Sequence, residues 1–183
     1  MNNSFSKDEI ARLLLTPHAL MSLSLDDAKT IVGYMLLTSF NPDTVIFEAQ
    51  QARTKSDYLL LVLRGDVLIE TPSTGDGTVV VDVLGSGHLI GEMGVLDGSP
   101  RSATCTAKTE VDVAMLSRTD LERLLVESPQ IGARFLLAIA TRLADRLRIS
   151  NRKLLMMSQV NQALQEEISA PMVKKSRRLT HVP

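Results

Sequence analysis

The spacing of apolar positions changes character twice along the chain. From Lys7 to Met35 apolar residues recur every three or four positions, as at Ile10, Leu13 and Leu14, which predicts short helices. Ser24 and Asp27 form a capping-box pattern that starts one of these and carries it through Ile31 and Tyr34. After Asn41-Pro42-Asp43 the pattern turns to short β-branched runs, at residues 44–49, 57–64, 66–72, 78–84, 102–107 and 111–117. Gly65, Gly75-Asp76-Gly77 and Gly85-Ser86-Gly87 punctuate them. Runs of this length between such turns predict a mainly β fold with flanking helices, an antiparallel β-roll of jelly-roll type.

The second change comes at Ser117, which is placed to cap a helix over Thr119–Glu127 with Asp120 completing the box. Ser128-Pro129 then opens a longer helix. Between Gln130 and Ser169 there is no Pro and, after Gly132, no Gly, so a single helix of nearly forty residues is expected. Counted in heptads, Ala140, Leu147, Leu154, Asn161 and Ile168 share one core position, and Leu136, Leu143, Ser150, Met157 and Leu164 the other. A polar Asn161 in such a seam fixes register and favours a two-stranded parallel pairing, because its amide can bond its symmetry mate. A homodimer through residues 136–168, paired as a coiled coil, is the expectation. The other use of the stripe is packing on the chain's own barrel, near Leu136 and Leu143. The chain thus divides into N-terminal helices (1–40), a roll with its following helix (41–128), a long dimer helix (129–169) and a solvated, flexible basic tail (170–183) containing Lys174, Lys175, Arg177 and Arg178.

Composition narrows the function classes. The 183 residues are 44% apolar, enough for one core with extensions but not for two full domains and a linker. Twenty basic residues face 21 acidic ones, so the chain as a whole lacks the charge excess of a nucleic-acid binder. Cys105 is the single cysteine, which suits a reducing compartment, and nothing at the amino terminus reads as a secretion signal. A cytoplasmic protein is expected. His18, His88 and His181 have no metal-ligand spacing, and no nucleophile and base stand in a recognisable pattern, so no enzymatic activity is expected. Cys105 alternates with Ala103 and Ala107 and reads as a small core residue.

The chemistry concentrates in residues 91–107, GEMGVLDGSPRSATCTA. Arg101 offers a planar fork of donors that matches two oxygens of a phosphate. Glu92 can accept from a pair of hydroxyls. Gly91 and Gly94 let backbone amides come close to a ligand, and Met93 to Asp97 is long enough for one helical turn facing an anion. The bland alternative is that Glu92 and Arg101 pair with each other across a turn.

This stretch resembles, without a gap from Gly91 to Ala107, the phosphate-binding cassette of the cyclic nucleotide-binding domain family, to which the bacterial catabolite activator protein, protein kinase A regulatory subunits and gated ion channels belong. Weaker agreement extends over about residues 40–152. The resemblance implies that Arg101 holds a cyclic phosphate and Glu92 the ribose 2′-hydroxyl, with Gly91, Met93, Gly94 and Ser102 completing the cradle. It aligns Ser150 and Asn151 with the residues that read the purine; Ser150 read from the pattern alone is a tolerated small residue in the seam. It implies a receptor for cyclic AMP, or less favourably cyclic GMP, that dimerises and signals to an unidentified effector protein. Pro42-Asp43 and Gln50-Gln51-Ala52 stand where members commonly place glycines, so the first turns of the roll are expected to differ. The helix-turn-helix of the family's transcription factors finds no apolar pattern after Ile168, so sequence-specific DNA binding is not expected. Two rival readings stay open: an interaction module whose pocket is vestigial or takes another anion, and an atypical transcription regulator.

Overall fold

The computed structural model of the protein describes residues 5–50, 58–72 and 78–178, with side chains for all of these except 78 and 166–178. Gln51, Ala52 and the expected turn at Gly75-Asp76-Gly77 lie outside the described residues, as do residues 179–183 of the expected tail. The chain divides into two compact units, Met1–Ala140 and Thr141–Pro183.

The first unit opens with two short helices, α1 (Lys7–Leu14) and α2 (Leu25–Val32). Ser6 and Glu9 build a complete capping box on α1, and the Ser24 hydroxyl accepts from the Asp27 amide at the start of α2. Both helices bury one face through Ile10, Leu14, Ala28 and Ile31. The helix expected to run through Tyr34 stops at Gly33, its C-terminal cap.

Eight strands follow, β1 (Leu36–Phe40), β2 (Val45–Phe47), β3 (Tyr58–Arg64), β4 (Val67–Pro72), β5 (Thr78–Leu84), β6 (Leu89–Ile90), β7 (Thr104–Ala107) and β8 (Val111–Ser117), with α3 (Glu92–Asp97) between β6 and β7. They form two antiparallel sheets, ordered β1-β8-β3-β6 and β2-β7-β4-β5. Leu60, Val62, Val111 and Val113 from one sheet meet Phe47, Val67, Cys105 and Ala107 from the other. The alternate residues Leu59, Leu61, Ala114 and Leu116 are equally buried, because α1 packs on β3 and α4 (Arg118–Glu127) on β8. Cover on both faces is why β3 reads as an unbroken apolar run rather than an alternating one.

The sequence pattern omits β1 and β6. β1 is an edge strand with Leu36 and Leu37 exposed, so its apolar positions do not alternate, and β6 has only two residues. The early turns keep left-handed backbone without glycine: Asp43 has φ 64° and Gln50 φ 58°. Each such non-glycine residue costs about 1 kcal/mol or more.

The long helix α5 (Pro129–Arg178) begins in the first unit. Phe135, Ala138 and Ile139 are buried there, and the absence of a side chain at Gly132 lets α5 approach α4, since a Cβ would lie 2.7 Å from Leu125 Cδ2. Arg134 donates two hydrogen bonds to Asp27, at 2.6 and 2.8 Å, tying α5 to α2. Those bonds hold the Asp27 carboxyl below its ordinary pKa, while burial pushes the other way. A carboxyl depressed in the folded state adds stability that is complete above its unfolded value of about 3.9 and is lost as pH falls through the folded value. Urea unfolding between neutral and strongly acidic pH is therefore expected to show a shallower acid loss for Asp27→Asn than for the parent. Parallel profiles would refute the tie.

Within the second unit the helix carries exposed Leu147, Leu154, Met157 and Leu164. Its backbone stays helical to Arg178, beyond the end expected at Ser169, so residues 170–178 of the expected tail are helix here. Pro171 forfeits one amide bond, but the lysines and arginines after it are good helix formers. No helix among the described residues is long and apolar enough to cross a membrane.

Candidate functional site

The site grows from the turn between β6 and α3. Gly91 caps α3 with φ 83°, a backbone that other residues adopt only under strain, and contributes no side-chain cap to the first-turn amides of the helix. Glu92 follows as the first helical residue and is 2% exposed. Gly98, also left-handed, ends the helix, and the chain returns through Pro100 and Arg101 into β7. The Asp97 carboxylate accepts from the Ser99 amide and hydroxyl, at 2.9 Å each, and these bonds hold it below its usual pKa. The loop is thereby closed on itself and delivers Arg101 inward.

Arg101 is only 9% exposed. Its Nη1 donates to the Gly91 carbonyl at 3.0 Å and its Nη2 to the Tyr58 carbonyl at 2.8 Å. The guanidinium carbon sits 4.6 Å from the centre of the Phe47 ring and 5.5 Å from that of Tyr58. Among the described residues Arg101 has no ion pair, so the mutual pairing with Glu92 across the turn is not what the fold builds. A guanidinium carries five N–H donors. Among the described residues two are engaged, which leaves Nε and one hydrogen on each terminal nitrogen for an anion.

The two glycines have a role the sequence reading placed elsewhere. A Cβ on Gly94 would lie 3.0 Å from Arg101 Nη1 and 3.3 Å from Cζ; one on Gly91 would lie 2.8 Å from Nη1 and 3.0 Å from the Tyr58 carbonyl. Both make room for the arginine itself. Met93 is half exposed and Ser102 is exposed beside Arg101. The main chain of Arg101 is fixed too, its carbonyl accepting from the Gln50 amide at 2.8 Å. Ser150 and Asn151 lie exposed on α5 in the second unit.

Sequence reasoning missed Phe47 and Tyr58. They lie on β2 and β3, far from residue 101 along the chain, and nothing local in their surroundings marks them as its neighbours. The Tyr58 hydroxyl donates to the Ile46 carbonyl at 2.9 Å, binding β3 to the strand that carries Phe47. Burial raises the Tyr58 pKa, with Arg101 opposing. Cys105, beneath the same group and fully buried, has its thiol pushed up to about 12 by burial, with Arg101 again opposing. A thiol so rarely ionised is a core residue, as the sequence reading placed it.

The comparisons agree on one family. The chain matches the family model described as the cyclic nucleotide-binding domain over residues 37–128. It is 39% identical over 76 residues to a cyclic nucleotide-gated potassium channel of Rhizobium etli, covering 42% of this chain and 20% of the channel. It is 28% identical over 111 residues to the cAMP-activated global transcriptional regulator CRP of Salmonella typhimurium, covering 60% of this chain and 49% of the regulator. The chain thus spans about a fifth to a half of these relatives. Among solved structures, a cyclic nucleotide-binding domain from Methylobacillus flagellatus superimposes with a TM-score of 0.69 at 31% identity, covering 81% of this chain and 82% of that one.

Proposed function

Because this chain belongs to the cyclic nucleotide-binding domain family, we propose that it is a receptor for a cyclic nucleotide, cyclic AMP ahead of cyclic GMP, and works by binding rather than catalysis. The observation that carries this reading is a buried Arg101 which, among the described residues, has only neutral partners and spends two of its five donors. In this reading those donors take the exocyclic and ring oxygens of the cyclic phosphate, with the uncapped amides of α3 and the Ser102 hydroxyl beside them. The Glu92 carboxylate accepts from the ribose 2′-hydroxyl, and Ser150 and Asn151 are the residues that the family resemblance assigns to the purine.

The exposed Leu147, Leu154, Met157 and Leu164, with Asn161 in the same heptad seam, support pairing of two copies through α5. Ligand can shift such a pair only through contacts that differ between two states. The output is then a changed surface offered to an effector protein in the cytoplasm.

Calorimetric titration of the full chain with cyclic AMP, cyclic GMP and cyclic di-GMP tests the receptor reading. Saturable binding, tightest for cyclic AMP, is expected, and the absence of binding to all three at millimolar ligand would end it. Sedimentation velocity on the same samples reads the pairing separately: a dimeric mass is expected, and a monomer at tens of micromolar would remove the dimer without touching the site.

A further inference from the structure

We propose that Phe47 and Tyr58 form an aromatic bracket that positions Arg101 for its anion without neutralising it; this rests on the receptor reading above. Arg101 is buried as a residue, 9% exposed, and a charged group carried into such surroundings needs compensation. The usual compensation is a carboxylate, whose negative charge would cancel the field that an incoming phosphate must feel. Here Arg101 is held by two carbonyl dipoles and two ring faces, and no ion pair of Arg101 occurs among the described residues. Ring quadrupoles attract a cation but leave its net charge intact. The bracket is also braced. Tyr58 gives Arg101 both its ring and its carbonyl, and its hydroxyl holds the Ile46 carbonyl next to Phe47, so one residue contacts the guanidinium twice and also ties down the strand that carries the other ring. Phe47 in turn pairs with Cys105 in the register of β2 and β7 and packs in the core between the sheets. Neither aromatic needs to touch the ligand; both act through Arg101.

The test is a pair of double-mutant cycles on the full chain. In the first, Phe47→Leu and Tyr58→Leu are each expected to weaken cyclic AMP binding about tenfold in the parent and by less than twofold on an Arg101→Ala background, read by NMR titration where affinity is low. Tyr58→Phe, which keeps the ring and loses only the hydroxyl bond, is expected to recover most of what Tyr58→Leu loses. A general disturbance of the roll would lower affinity equally on both backgrounds, and that result would overturn the bracket. The second cycle needs no nucleotide: urea unfolding of Phe47→Leu, Arg101→Ala and the double variant is expected to be non-additive, and strict additivity would overturn the bracket even if the parent proved to bind no cyclic nucleotide. Should Phe47→Leu fail to fold, Tyr58→Leu, at the less buried edge of the site, carries both cycles.

Discussion

Arg101→Ala is expected to weaken cyclic nucleotide binding by two to four orders of magnitude. Two charge-assisted hydrogen bonds to a phosphate contribute about 1.5–3 kcal/mol each, and every 1.4 kcal/mol is about tenfold in affinity. The loss is not only of contacts made by the ligand. The arginine also binds the Gly91 and Tyr58 carbonyls, so alanine leaves the turn between β6 and α3 and the start of β3 without their shared donor. Two measurements separate these effects. Calorimetry on the folded variant reads the phosphate interaction, and urea unfolding without ligand reads the turn. Arg101→Lys keeps the charge but not the fork, so an intermediate affinity is expected. An Arg101→Ala affinity within threefold of the parent would show that the anion is held elsewhere.

The largest expected effect on stability comes from Phe135→Ala. Phe135 has no exposed surface and sits one helical turn before Ile139, likewise fully buried, on the part of α5 that belongs to the first unit. Truncating a buried phenylalanine costs about 3–5 kcal/mol, partly for lost transfer and partly for the cavity. In a unit of this size that lowers the melting temperature by roughly 6–20 °C. Thermal unfolding followed by circular dichroism is the check. A drop below about 3 °C would mean that the beginning of α5 is dispensable to the core.

What could be read in advance followed the distance between interacting residues. The glycines, Glu92 and Arg101 fall within one continuous stretch, and the cap at Ser117 and the single turn of α3 are local rules, so all were visible. The Ser6–Glu9 box is equally local, though the apolar spacing that follows it is the stronger signal. Edge strand β1 was hidden because an exposed edge carries no alternation to detect. The meeting of Phe47, Tyr58 and Arg101, and the grip of Arg134 on Asp27, depend on which strands and helices come together in three dimensions. For the same reason Gly91 and Gly94 were legible as important but not as the space that the Arg101 side chain, from the loop leading into β7, would fill.

The burial of Phe135, Ala138 and Ile139 has a practical corollary for anyone turning this roll into a biosensor. A fluorescent reporter grafted at the end of the family match, residue 128, would discard these three side chains and expose the apolar surface that buries them. Joined after Ala140 instead, the reporter would inherit a sealed module, with the boundary set by where the compact unit ends rather than by where similarity fades.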